Sequence, residues 1–141
     1  MKASTDTRRL YRFEELFLHT RACPGNKDTP IGKLRTLAQR IWDDYNKNPS
    51  RNCPPIIAGN GVKEGEYVFS YYEVPPVHKI VLDRNGRRPT ILLHEMTHAL
   101  GRGPHNERFC GLYFELLHRY LGYDLSLLKL QAASFKIRTD N

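Results

Sequence analysis

The spacing of apolar residues along the chain predicts four helices. The first, residues 7–20, carries four apolar side chains on one face: Leu10, Phe13, Leu16 and Phe17. A second helix begins at Thr29-Pro30, where a capping hydroxyl precedes a proline, and proline stops it at Asn48-Pro49. Two further amphipathic segments, 89–100 and 106–122, complete the set.

Between the second and third helices the chain is rich in β-forming residues and turn residues. A short apolar run stands at 56–57, and two longer runs follow at 67–74 and 78–83, each closed by proline or glycine turns. The order of elements predicts one α+β domain over residues 1–141. We expect N-terminal helices, a small and mainly antiparallel sheet, and two closing helices.

Composition excludes several classes of protein. The chain has 141 residues, of which 40% are hydrophobic and 26% charged, which is ordinary for a globular domain. No apolar stretch is long enough for a membrane span, and Met1–Leu10 lacks the apolar core of a signal peptide. Three cysteines without a CxxC pair favour free thiols in a reducing cytoplasm. The net charge of +7 permits non-specific contact with nucleic acid.

The third helix contains the sequence His94-Glu95-Met96-Thr97-His98, which is the HExxH pattern. Residues four apart lie one helical turn apart on the same face, so both imidazoles can bind a single ion. Glu95, about 100° around the helix, can reach a water molecule at that ion without replacing it. Two neutral nitrogen ligands suit a catalytic zinc. The alternative interpretation of the motif is that both histidines are polar surface residues.

A third ligand is expected downstream, and His105 stands where it is needed. Gly101 and Gly103-Pro104 end the motif helix, and His105 then opens the fourth helix on its buried side. Glu115 is a competing ligand, but it falls on the polar face of that helix, as does His118. The pattern therefore predicts one Zn²⁺ per chain, held by His94, His98 and His105.

The residues HEMTHA at 94–99, followed by Gly103-Pro104-His105 and Phe109, resemble the SprT-like zinc metalloproteases. Those proteins read HExxHA, a connector, and then His-Gly-x-x-Phe. The similarity is greatest to their small stand-alone metallohydrolases, which lack a zinc ribbon. It implies a minimal zincin-like domain, three histidine ligands, Glu95 as general base, and a protein or peptide substrate. Asn106 stands where the family usually has glycine, and the connector is shorter than in its better-known members. Metzincins and YbeY-like RNases fit the spacing less well.

The resemblance also implies where substrate binds. In related folds an extended peptide lies along the strand edge before the motif helix, which is 78–83 in this chain. Candidate substrate contacts are therefore His78, Ile80 and Leu82. The residue that stabilises the oxyanion stays open among four candidates: Tyr71, Tyr72, His78 and Tyr113.

Two other functions remain possible from the sequence. Arg84, Arg87 and Arg88 can contact nucleic acid or an acidic partner, or they can form a solvated turn. The alternative to the enzyme hypothesis is a non-catalytic binding module in which zinc has only a structural role and holds the helices together. Glu95 argues against that module, because a structural zinc site needs no carboxylate there. A zinc hydrolase acting on a non-peptide substrate is a third alternative.

Overall fold

The computed structural model describes residues 4–20, 22–70, 72–73 and 76–140. The chain divides into two compact units, one comprising Lys27–Gly101 and the other Met1–Asn26 with Arg102–Asn141. Helices and a small sheet are both present among the described residues, which confirms the α+β class. A single domain over the whole chain stays a prediction.

The unit formed by residues 27–101 contains a three-stranded sheet. Its strands are β1 (Ile56–Ala58), β2 (Gly65–Ser70) and β3 (Val77–Leu82), in the order β1-β3-β2. β1 runs parallel to β3, and β2 runs antiparallel to it. The expected mainly antiparallel sheet is thus a mixed one. Ile80 and Leu82 of β3 are fully buried, as suits a central strand.

Helix α2 (Ile31–Tyr45) packs against β1 in the same unit. Its buried side chains recur at helical spacing: Leu34, Ala38, Ile41 and Trp42. The expected cap at Thr29 is wrong, because Pro30 occupies the cap position and the Thr29 hydroxyl donates to the carbonyl of Lys27 at 3.0 Å. The helix still begins and ends within a few residues of the predicted limits.

Helix α3 (Pro89–Ala99) carries the HExxH sequence and is buried nearly all round. It packs against α2, β2 and β3, with Leu92, Leu93 and Met96 fully inaccessible to solvent. His94 and Glu95, on other faces of the helix, are only 6% and 9% exposed. The motif therefore lies in a shielded environment, where electrostatic interactions are stronger than in water.

The other unit begins with helix α1 (Thr5–Phe13), which continues as one π-helical turn, Glu14–Leu18. The amide of His19 donates to the carbonyl of Glu14 at 2.8 Å, five residues back. This turn inserts one residue into the helical repeat. Leu18 is therefore buried, and Leu16, predicted on the buried face, is 50% exposed.

Helices α4 (Glu107–Leu121) and α5 (Leu125–Ala133) pack against each other in this unit. The side chain of Asn106 caps α4 by accepting from two backbone amides at 3.1 and 3.2 Å. Gly122 ends α4 with φ 78°, a left-handed conformation that favours glycine. Helix α5 was not predicted; Asp124 caps it by accepting from the amide of Leu127. None of the described helices has the length and apolarity to cross a membrane.

Candidate metal centre

Helix α3 presents two of the predicted ligands side by side. The rings of His94 and His98 have centroids 5.3 Å apart and an interplanar angle of 59°. This follows from their four-residue spacing, which places them one turn apart. His94 is buried, and His98 is partly exposed. The pair thus has one shielded member and one within reach of solvent.

His105 lies immediately before the cap of α4, not in its first turn as predicted. Its ring packs edge-on against Phe109, with centroids 4.8 Å apart, and against Tyr11 at 5.5 Å. The Nδ1 atom lies 2.9 Å from the hydroxyl oxygen of Thr7. Two rings and one hydrogen bond therefore fix the orientation of this imidazole.

The three histidines form one group that could hold a metal ion. One ligand atom from each of His94, His98 and His105 lies within 4.8 Å of the others. Nitrogens on a tetrahedral zinc lie about 3.3 Å apart, given zinc–nitrogen bonds of about 2.0–2.1 Å. The donor set of three neutral imidazoles fits zinc, although the group itself does not identify the ion.

Thr7 completes the surroundings of His105, the third predicted ligand. If Nε2 of His105 binds the ion, Nδ1 carries the proton and donates to the Thr7 hydroxyl. Such an outer hydrogen bond fixes the tautomer and the ring orientation of a metal-ligating histidine. Thr7 also accepts from the hydroxyl of Ser4 at 2.9 Å, which helps to hold it in place.

Glu95 directly follows His94 on α3 and is 9% exposed. Strand β2 begins against it, since a Cβ atom added to Gly65 would lie 3.3 Å from Glu95 Cγ and 2.8 Å from Ile91 Cγ2. Glycine at this position therefore permits the close approach of β2 to α3. Glu115, the competing ligand, is exposed on α4 and is not part of the histidine group.

The predicted substrate strand is not a sheet edge. β3 pairs with β1 at residues 80–82 on one side and with β2 along residues 77–82 on the other, so it is the central strand. Ile80 and Leu82 are fully buried core residues, and contact of His78, Ile80 or Leu82 with substrate stays a prediction. Among the described residues, β2 has no partner strand on its side away from β3. β2 is thus an edge strand among the described residues, and its first residue, Gly65, lies next to Glu95.

His78 also has a structural setting. Its Nδ1 lies 3.0 Å from Arg51 Nη2 and 2.9 Å from the hydroxyl of Tyr67, and its Nε2 lies 2.7 Å from the carbonyl oxygen of Asn52. Since arginine only donates, Nδ1 must accept, and the proton on Nε2 is donated to Asn52. Burial lowers the pKa of His78. The hydrogen bond to the carbonyl of Asn52 partly offsets this by raising the pKa, and the charge of Arg51 lowers it further. The neutral imidazole thus connects β3 to the loop at Asn52, which precedes β1.

The tyrosines predicted as candidates for stabilising the oxyanion differ in their exposure to solvent. Tyr71 lies outside the described residues, and Tyr72 is 98% exposed. Tyr113 is fully buried and donates its hydroxyl to Glu14 Oε2 at 2.7 Å, which makes it a core residue. The role of oxyanion stabiliser therefore stays unassigned.

Thr7 and Tyr11 were missed from the sequence. They lie four residues apart on one face of α1 and both contact His105. Thr7 precedes His105 by 98 positions in the sequence, so no local pattern could connect them. A polar and an aromatic residue at i and i+4 on α1 was the only available hint.

The three arginines after β3 are largely used within the fold. Arg87 donates from Nη2 to the carbonyl of Gly59 at 3.0 Å, and Arg88 pairs with Glu64. Arg84 is exposed. Two of the three side chains thus bond within the fold, and contact of these arginines with nucleic acid stays a prediction.

Comparison with known proteins gives no match: no family model, no curated protein and no solved structure is significantly similar to the chain. The case for a function therefore depends on the residues of the site itself.

Proposed function

We propose that this protein is a zinc-dependent metallopeptidase with a minimal zincin-like domain, of the kind that the SprT-like motif implies. The observation that carries the proposal is the group of His94, His98 and His105 together with a buried carboxylate on the residue after His94. A carboxylate that directly follows a metal-binding histidine on one helix can reach a water molecule at the ion and act as its general base.

The chain's own residues account for the chemistry as follows. Zinc held by three imidazoles would supply Lewis-acid activation of a scissile carbonyl. Glu95 takes a proton from the attacking water and later returns it to the leaving amine. Thr7 orients His105 by its hydrogen bond to Nδ1. The shielded position of α3 strengthens these interactions.

The sheet offers a surface for substrate binding. An extended peptide can add to the open edge of β2 by main-chain hydrogen bonds. β2 begins at Gly65, in contact with the side chain of Glu95. A peptide bound along this edge would therefore pass close to Glu95.

The setting and partners of the protein are part of the proposal. Three free thiols, at Cys23, Cys53 and Cys110, favour a reducing compartment such as the cytoplasm. A protein or peptide is the partner that the chemistry requires. Contact with nucleic acid through Arg84 and the general positive charge would be non-specific.

A pair of glutamate variants tests the proposal. Glu95→Gln removes the base, and Glu115→Gln removes an exposed carboxylate of α4 as a matched control. We expect zinc in both variants, peptide cleavage in the control, and a loss of at least about 100-fold in kcat for Glu95→Gln. Cleavage is read by mass spectrometry on a proteome-derived peptide library.

Two results would contradict the proposal. Equal activity of Glu95→Gln and wild type, with zinc retained, would favour a module in which zinc only staples the helices. Glu95-dependent hydrolysis of esters without hydrolysis of any peptide would indicate a hydrolase for a non-peptide substrate.

A further inference from the structure

The unit formed by residues 1–26 and 102–141 contains a cavity beside His105. Its volume is about 580 Å³, within the range of about 300–1,000 Å³ that small-ligand sites occupy. The cavity is formed by α1, the start of α4 and the segment after α5. His105 belongs to its lining, so the cavity adjoins a proposed metal ligand.

Cationic side chains dominate the charge of this cavity. It is lined by three cations, Arg9, Lys136 and Arg138, and by two acids, Asp6 and Glu107. Arg9 is partly neutralised by Asp6, 4.0 Å away. Lys136 and Arg138 form no ion pair with any residue that the structure describes. These two side chains leave the end of the cavity formed by residues 136–138 electropositive.

Lys136 has an unusual backbone conformation for a lysine. Its φ is 60°, in the left-handed region, three residues after the end of α5 at Ala133. The amide of Ile137 donates to the carbonyl of Ala132 at 3.0 Å, a pattern that normally places glycine at this position. A side chain here is strained relative to glycine. A lysine at a position where glycine is more stable suggests that its charge has a use.

We propose that this cavity binds a carboxylate of the peptide substrate, through Lys136 and Arg138, and so selects acidic peptides. The inference rests on the proposed function, since it names the substrate class of the same site. An aspartate or glutamate near the scissile bond would place its side chain in the cavity. Charge-assisted hydrogen bonds from a lysine and an arginine are the usual way to hold a carboxylate.

The lining favours a peptide over a nucleic acid. His105 supplies the only aromatic ring in the described lining, so bases would have no platform on which to stack. Asp6 and Glu107 would repel a continuous phosphate backbone. A single carboxylate can instead reach Lys136 and Arg138 while the rest of the peptide extends away from the two acids.

Binding to a catalytically silent protein tests the inference. The probe is a fluorescein-labelled nonapeptide with three central glutamates, and its counterpart has glutamines at those positions. Fluorescence anisotropy is measured on the zinc-loaded Glu95→Gln protein. We expect the glutamate peptide to bind about fivefold more tightly. Arg138→Gln should remove most of this preference, and Lys33→Gln, an exposed lysine of α2, should preserve it.

Lys136→Gly separates binding from folding. It removes a cation and also relieves the left-handed strain, so we expect weaker binding of the glutamate peptide together with a melting temperature raised by roughly 3–5 °C. A lysine with only a structural role would give lower stability. Equal binding of both peptides, or unchanged binding in Lys136→Gly, would overturn the inference. Equal displacement of the glutamate peptide by a single-stranded oligonucleotide would also overturn it.

Cleavage by the wild-type enzyme distinguishes this inference from the proposed function. A lower KM for acidic peptides than for their amide counterparts supports both. Cleavage with equal KM for the two peptides overturns the acidic preference, and the peptidase proposal stands. If no peptide is cleaved but the glutamate peptide still binds, the peptidase proposal fails, and the cavity is an acidic-peptide site without a catalytic role.

Discussion

The hydrogen bond between Thr7 and His105 gives a quantitative prediction about metal affinity. Replacing Thr7 with valine keeps the shape of the side chain but removes the partner of Nδ1, 2.9 Å away. Loss of such an outer partner typically weakens metal binding by about 10–100-fold. The rings of Phe109 and Tyr11 still hold the imidazole in the variant. We therefore expect the lower limit, about tenfold, or about 1.4 kcal/mol.

The assay is a competitive zinc titration against a fluorescent chelator of known affinity. Thr7→Ser retains a hydroxyl and should bind zinc as wild type does. Thr36→Val removes the hydroxyl of an exposed helical threonine, which donates to the carbonyl of Gly32, and serves as the matched control. Wild-type zinc affinity in Thr7→Val would refute the reasoning. A loss of affinity equal in Thr7→Val and Thr36→Val would refute it as well.

Three further predictions concern stability and reactivity. Burial lowers the pKa of His78 in the folded chain, so its stabilising contribution is present above the ordinary value of 6.5 and is lost as the pH falls below it. In urea denaturation, His78→Asn should therefore make the free energy of unfolding depend less on pH. The same pH dependence in His78→Asn and in wild type would contradict this prediction. Burial raises the pKa of Cys53 to about 11 and of Cys110 to about 12, so at most one thiol per folded chain should react with Ellman's reagent near neutral pH, and rapid reaction of all three would contradict it. Tyr113→Phe removes a donor from the buried Glu14 and should lower the free energy of unfolding by about 1–3 kcal/mol without changing zinc affinity; an unchanged unfolding midpoint would contradict it.

The sequence was most informative where one element carries its own pattern. The spacing of His94 and His98 predicts their common face on α3, and the two rings do lie together. The apolar repeat of α2 is likewise local, and its buried residues Leu34, Ala38 and Ile41 follow it. In both helices the information lies within a few turns, so no distant contact is needed to interpret it.

Errors arose where the backbone departs from a regular repeat. The π-helical turn at Glu14–Leu18 shifts the buried face by one residue, so Leu16 is exposed although a regular helix would bury it. Helix α5 was missed because its own leucine and alanine side chains project on all sides, so the sequence shows no amphipathic period. Its capping residue, Asp124, was the remaining signal.

Strand order and distant contacts could not be deduced from local pattern. A short strand of three residues, β1, joins β3 in parallel and makes it a central strand. Alternation along 78–83 has the same period for an edge strand and a central strand, and therefore could not distinguish them. Contacts such as that of Thr7 with His105 depend on how the chain folds back on itself, which no spacing rule encodes.

The most direct test of the account is the metal content of the purified protein. Elemental mass spectrometry is applied to wild type, to His105→Ala, and to His118→Ala, which alters an exposed histidine of α4 outside the histidine group. The account predicts about one zinc per chain in wild type and in His118→Ala, and a sharp reduction in His105→Ala. Wild-type protein that carries no zinc after purification in the presence of the metal, or full zinc content in His105→Ala, would contradict it.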